Sequence, residues 1–247
     1  MIGSSWFSQK QSSDYQDFSI LGTDIHSHIL PGMDDGSRSM AQSLEMVQGM
    51  VDLGFKKLIL TPHVMEGYTD YAPSTILQAR DKLQSALDSE GIQIVIEAGA
   101  EYMISDDFEE KIKEGEMLTF NGKHILIELS TFSPHPKLKN MLFDLSYKGY
   151  TVIVAHIERY TYWFDNLEIF RELQAGGSLL QVNILSLGGY YNPLYKKNAE
   201  LLAEENLIDI LGSDLHHPIS IPLYKESLKR KSVQDLMTSG ILKNSLF

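Results

Sequence analysis

Residues 151–158 read TVIVAHIE, an unbroken apolar run from Val152 to Ala155 that ends on a histidine. A strand with one wet face alternates apolar and polar residues, whereas an unbroken Val/Ile run suits a strand buried on both faces, as in a parallel sheet covered by helices. Six other stretches read the same way: FSILGTDIH (18–26), KKLILTPH (56–63), IQIVIEAGAE (92–101), KHILIELS (123–130), GSLLQVNI (177–184) and LIDILGSDLH (207–216). Helix-period segments lie between them. Met40, Leu44, Val47 and Val51 form one stripe before Gly54, and Leu138, Met141, Leu142 and Leu145 form another before Gly149. Pro73 is placed to begin a helix carrying Ile76, Leu83 and Leu87, and the C-terminal PLYKESLKRKSVQDLMTSGILKNSLF reads as one or two closing helices. Repeated βα units of this kind define an α/β fold, and seven parallel strands can close into a TIM-like barrel. One domain, residues 19–247, is expected after a polar lead, residues 1–18, that is expected to be mobile.

Bulk composition narrows the function. At 247 residues, 43% hydrophobic and 22% charged, the chain has the make-up of an ordinary globular protein. No apolar run approaches a membrane span, and the N-terminus has no signal-peptide pattern, so a cytoplasmic protein without membrane insertion is expected. A formal charge of -12 argues against a nucleic-acid surface. Having no cysteine removes thiolate ligands and cysteine nucleophiles together.

The ligand-type residues fall at matching strand ends. His26 and His28 end the first strand, His63 the second, Glu101 the third, Glu128 the fourth, His156 the fifth, and Asp214 with His216 the seventh. Only the sixth, ending near Asn183, offers no strong ligand. Barrels of this type gather their active sites at the C-terminal ends of the strands, so these side chains meet at one rim, and Asp35 in the first loop can join them. Each has a bland alternative: a hydrogen-bonded histidine pair, a loop start after Pro62, an arginine partner for Glu128, a helix cap at Ser213 or Asp214. All of these would have to hold at once. Mixed imidazole and carboxylate ligands without sulfur suit manganese, iron or zinc, and a set larger than one coordination shell points to a polynuclear site and to phosphate-ester hydrolysis. Arg159 can clamp phosphate oxygens, or instead form a surface ion pair with Glu158 or Asp165. His124, at a strand start, His135, between two prolines, and His217 stay unassigned.

With these residues in view the chain resembles the PHP (polymerase and histidinol phosphatase) superfamily, more closely its manganese-dependent bacterial protein-tyrosine phosphatases of capsule and exopolysaccharide loci, the CpsB and YwqE type. The resemblance runs from about residue 22 to about 217 and rests on DIHSHILPGMDDGS, TPH, GAE, LIELS, AHIERY and GSDLHH. It implies a distorted seven-stranded (β/α)7 barrel and up to three manganese ions, with iron or zinc as alternatives. His26, His28, Glu101 and Asp214 would hold the first ion; Glu101, Glu128 and His156 the second; Asp35, His63 and His216 the third. Catalysis would fall to Arg159, His156 and Asp35, by a metal-held hydroxide with no phosphoenzyme. Family spacing favours Asp35 over Asp34, which is left to the turn or to supporting a ligand.

The implied substrate is the phosphorylated tyrosine-rich tail of a polysaccharide-export tyrosine kinase, met at the inner face of the membrane. The rival readings are a PHP phosphoesterase for a small ester such as histidinol phosphate, and a noncatalytic phosphotyrosine-binding scaffold. Two features depart from the family pattern: HHPISIP lacks a further arginine after the last metal histidine, and the lead, with Trp6 and Phe7, precedes the first motif. Tyr190, Tyr191 and Tyr195 in LGGYYNPLY are candidates to line the rim.

Overall fold

The computed structural model describes residues 15–247; Trp6, Phe7 and most of the lead expected to be mobile lie outside the described residues. The described end of the lead packs onto the body. Phe18 is buried and stacks on Phe55 with centroids 5.6 Å apart, and the Tyr15 N–H donates to Gln234 Oε1 at 2.9 Å.

Strands and helices alternate, and all strand pairing is parallel. The expected strands occur as the segments β1 Thr23–Asp24, β2 Lys57–Leu60, β3 His63–Val64, β4 Val95–Ala98, β5 Glu101–Met103, β6 His124–Glu128, β7 Thr151–Val154, β8 Leu179–Asn183 and β9 Ile210–Gly212. Two of the runs are broken. Pro62 has no N–H for the ladder and separates β2 from β3. Gly99, between β4 and β5, passes so close to Phe120 that a Cβ would lie 2.5 Å from its ring. FSILGTDIH is strand only at β1; Phe18 and Leu21 are buried by packing in a turn that ends at Gly22, φ 71°. Apolar content alone could not tell these two kinds of burial apart.

Segments pair in the orders β1-β2-β4 and β3-β5-β6-β7-β8-β9. Beyond β1 and β9 the segments that follow the first and last strands meet: Asp214 N–H donates to His26 O at 2.8 Å, and His28 N–H to Leu215 O at 2.9 Å. At the opposite end the buried side chain of Asn244 spans the gap. Its Nδ2 donates to Thr23 O and Leu211 O at 3.0 and 2.7 Å, and its Oδ1 accepts from Leu211 N–H at 3.0 Å.

Helices cover the outer side: α1 Met40–Asp52, α2 Pro73–Glu90, α3 Asp106–Glu114, α4 Leu138–Tyr147, α5 Glu168–Ala175, α6 Ile184–Gly188, α7 Pro193–Glu204, α8 Ile221–Ser227 and α9 Lys231–Thr238. The expected stripes of α2 and α4 are buried apart from Leu142, which is half-buried. In α1 the buried face is Ser43, Met46, Val47 and Met50, while Met40, Leu44 and Val51 are only half-buried. The rotation follows from Ser43, whose hydroxyl donates to Ile29 O at 2.6 Å and so is buried without loss of hydrogen bonding. Among the described residues no helix is long and apolar enough to cross a membrane.

Two cores result. The larger joins strand residues such as Leu58, Ile127 and Val154 with helix residues such as Met46, Met141 and Leu202. A second, inner cluster joins Ile25, Ile59, Phe120, Leu126, Ile153, Ala155 and Ile210. Strand alternation carries this inner face upward from Leu126 to Glu128 and from Ile210 through Gly212 to Asp214.

Asn244→Ala should lower unfolding stability by about 2–4 kcal/mol, because Thr23 O and both backbone groups of Leu211 lose their partner. Chemical denaturation in chelator, which removes any metal contribution, measures it; a change under about 0.5 kcal/mol would reject the bridging role.

Candidate metal centre

The loop after strand one folds back over its own strand. Ser37 N–H donates to His28 O at 3.0 Å, and a Cβ on Gly36 would lie 2.1 Å from that oxygen, so only glycine fits. This turn separates the two aspartates. Asp34 faces inward: Oδ2 accepts from His28 Nδ1 at 2.8 Å and from His63 N–H at 3.0 Å, and Oδ1 from Gly36 N–H at 2.9 Å. Asp35 has a side chain 56% exposed, with Oδ1 3.7 Å from His63 Nε2 and 3.5 Å from His216 Nε2.

All nine expected ligand residues fall into four groups whose ligand atoms lie within 4.8 Å of one another. These are His26, His28 and Asp214; His26, Glu101 and His156; His63, Glu101 and Glu128; and His28, Asp35, His63 and His216. The groups overlap, since His26, His28, His63 and Glu101 each belong to two of them, and His156 Nε2 also lies 3.8 Å from Glu128 Oε2. Burial is graded across the set. His26, Glu101, His156 and Asp214 are buried, whereas Asp35, His63 and His216 keep access to solvent. Two ligand residues have left-handed backbones, His156 at φ 30° and Asp214 at φ 54°. Ala155 belongs to the inner cluster, so plain alternation would send His156 outward; the turn at φ 30° brings Nε2 to 3.0 Å from Glu101 Oε1.

The donor set fits divalent cations. Glu101 Oε2 lies 3.2, 3.3 and 3.1 Å from His26 Nε2, His28 Nε2 and His63 Nδ1. His63 Nδ1 is also 3.1 Å from Glu128 Oε1, yet His63 Nδ1, Glu101 Oε2 and Glu128 Oε1 are buried without a hydrogen-bond partner. Atoms that converge without bonding one another are what ligands of a shared ion require. The outer ring nitrogens are held: His26 Nδ1 by Gln181 Oε1 at 3.0 Å, His28 Nδ1 by Asp34, His216 Nδ1 by Asp214 O at 3.0 Å. Each leaves Nε2 turned inward.

Charge in the cluster is strongly coupled. Burial disfavours charge on His28 and His63, but surrounding carboxylates prevail, holding His28 well above the ordinary imidazole range and pushing His63 up to about 10. Burial likewise opposes the Glu101 and Asp214 carboxylates, yet His26 and His156 beside Glu101, and Arg159 beside Asp214, hold both well below the usual range.

Arg159 pairs with Asp214, not with Glu158 or Asp165: Nη2 donates to Asp214 Oδ2 at 2.7 Å. That oxygen also accepts from Asn183 Nδ2 at 2.6 Å, while Oδ1 lies 3.5 Å from both His26 Nε2 and His28 Nε2. The sixth strand is therefore not silent. Gln181 Oε1 accepts from His156 N–H at 2.9 Å as well as holding His26, and its Nε2 donates to Asn183 Oδ1 at 2.7 Å. Gly212 makes room for it, since a Cβ there would lie 2.6 Å from Gln181 Nε2. The signal was present as two amides, Gln181 and Asn183, one residue apart on an apolar strand; amides are weak ligands, so a search for ligands passes over them. His124 bonds Asn121 O at 2.8 Å and packs on Phe247 at the strand-start end, and none of His124, His135 and His217 joins the four groups.

The profile of the family Capsular polysaccharide synthesis, CpsB/CapC, matches residues 22–244. The chain is 35% identical over 196 residues to the tyrosine-protein phosphatase YwqE of Bacillus subtilis, spanning 78% of this chain and 77% of that protein. It is 30% identical over 213 residues to the tyrosine-protein phosphatase CpsB of Streptococcus pneumoniae, spanning 82% and 86%. A chain from the crystal structures of YwqE and CpsB, described as metal-dependent tyrosine phosphatases, superposes with a TM-score of 0.75 at 32% identity, over 83% of this chain and 84% of the other.

Protons and a cation compete for the same lone pairs, so manganese affinity of the apo protein should rise at least tenfold from about pH 6 to about pH 8, with proton release on binding. Calorimetry in buffers of different ionisation enthalpy reads both, and a pH-independent affinity would refute the competition. Gln181→Leu frees His26 Nδ1 and should weaken manganese binding by about 10–100-fold; an unchanged affinity in the same titration would show that the amide orients nothing.

Proposed function

The chain belongs to the CpsB/CapC family of capsular polysaccharide synthesis, and from that premise we propose that it is a metal-dependent phosphatase acting on phosphotyrosine in a protein substrate. The observation that carries the reading is the convergence of nine ligand-type side chains beside a single arginine, in a chain with no cysteine to form a phosphocysteine. We assign His26, His28, Asp35, His63, Glu101, Glu128, His156, Asp214 and His216 to the ions, and read manganese as the metal, up to three ions. When bound, such ions lower the pKa of water and neutralise charge on phosphoryl oxygens.

The residues themselves divide the work by burial. Glu101, His26 and His156 form the dry end that anchors the centre, and Asp35, His63 and His216 form the open end that a phosphate can approach. Arg159 joins the site through Asp214. Asp214 takes one of its terminal nitrogens, and its buried Nε has no hydrogen-bond partner among the described residues, so guanidinium donors remain for non-bridging oxygens. The same Asp214 carries the clamp on Oδ2 and faces the histidines with Oδ1, so phosphate grip and ligand geometry share one carboxylate. We also read the strands as a distorted seven-stranded (β/α)7 barrel. The bonds joining 26–28 to 214–215, the Asn244 bridge and the inner cluster support that closure. The protein substrate we propose is the tyrosine-rich tail of a polysaccharide-export kinase, met in the cytoplasm at the inner membrane face.

Manganese-loaded protein should release phosphate from a phosphotyrosyl peptide with kcat/KM far above that for histidinol phosphate. The reverse preference would sink the substrate assignment, and tight peptide binding without phosphate release would sink the enzyme reading. Arg159→Ala should cut kcat/KM by about 10²–10³-fold at unchanged metal content.

A further inference from the structure

Arginine has a long, freely rotating side chain, and a clamp must hold its plane as well as its charge. The pair with Asp214 fixes only Nη2. The second restraint is an aromatic face: the guanidinium carbon of Arg159 lies 5.4 Å from the centroid of Tyr191. Both restraints come from one stretch of chain. Asn183, at the end of β8, holds Asp214 Oδ2; the buried helix α6 follows directly, and Gly189, at φ 83°, turns the chain toward Tyr191. Neighbouring Tyr190 is committed elsewhere, stacked on Arg230 at 5.7 Å.

We propose that Tyr191 is a positioning residue for Arg159, its ring fixing the guanidinium plane so that the unpaired N–H groups stay directed at the phosphoryl group. The proposal rests on the clamp role assigned to Arg159. The ring, not the hydroxyl, does this: the guanidinium carbon lies over the ring, and among the described residues no hydrogen bond ties the phenol oxygen to Arg159. Tyr191 is 38% exposed, so its ring is open to solvent on part of its surface. Because the restraint acts on the phosphate grip, it should affect every phosphate ester alike, whatever the leaving group.

The test uses the manganese-loaded full chain, with a phosphotyrosyl peptide and p-nitrophenyl phosphate as substrates and inorganic phosphate as a ligand measured by calorimetry. Tyr191→Leu should lower kcat/KM on both substrates and weaken phosphate binding, each by about tenfold, at unchanged metal content and melting temperature. Tyr191→Phe should stay within about twofold of wild type. In an Arg159→Ala background the Leu change should add less than about twofold, because its route is gone. The proposal is overturned if Tyr191→Leu binds phosphate like wild type, if Phe is as damaging as Leu, or if the Leu effect persists without Arg159. Failure of the phosphotyrosine reading looks different: no peptide turnover, while the phosphate-binding cycle still reports on Tyr191.

Discussion

A carboxylate with no solvent access sits at the centre of four imidazoles, and the rest of the architecture answers to it. Glu101 Oε2 is within 3.3 Å of nitrogens from His26, His28 and His63, and Oε1 is 3.0 Å from His156. Burying such a charge alone costs many kcal/mol, so its neighbours must supply positive charge, as protons or as cations. Three separate strand ends have to deliver them. That requirement explains the break at Gly99-Ala100, which starts β5 on Glu101, and the left-handed turn at His156. The first sets Glu101 in place, and the second brings His156 Nε2 to 3.0 Å from its Oε1.

Supporting residues repeat one device. Asp34, Gln181 and the Asp214 carbonyl each occupy the outer nitrogen of a histidine, so that the inner nitrogen is free to bind. The close passes at Gly36 and Gly212 exist to admit these supports, since a Cβ at either would collide with His28 O or with Gln181. Asp214 joins the two halves of the site, with the histidines on one oxygen and Arg159 and Asn183 on the other. The histidines and Arg159 thereby share one carboxylate. The network around Asp214 reaches the first strand through Ser213, whose N–H and hydroxyl both donate to buried Asp24.

The α/β class, the parallel strands, most helix faces and the cluster of imidazoles and carboxylates at the strand ends were legible in the sequence. Buried parallel strands announce themselves as Val/Ile/Leu runs, and polar residues at the ends of such runs are too costly to be accidental. Position 35 against 34 was chosen by family spacing; the structure separates the two by which side of Gly36 they face, Asp34 inward to His28 and Asp35 out to His63 and His216. The register of α1 was misjudged because Ser43 is polar by type and buried by circumstance, its hydroxyl satisfied by Ile29 O. FSILGTDIH was over-read as strand because packing and pairing bury Phe and Leu equally well.

Local chemistry and periodicity are properties of neighbouring residues, so the sequence alone determined that strands alternate with helices and that their ends carry imidazoles and carboxylates. Family resemblance added the activity. Partnerships across the fold are another matter: that Arg159 would choose Asp214, that Gln181 would orient two histidines, that Asn244 would span β1 and β9, and that Tyr191 would face a guanidinium. These contacts join residues from 25 to 221 positions apart. Nothing in local spacing selects among the many donors and acceptors available to each, so only tertiary packing, which decides which buried polar groups must satisfy one another, could make the choice.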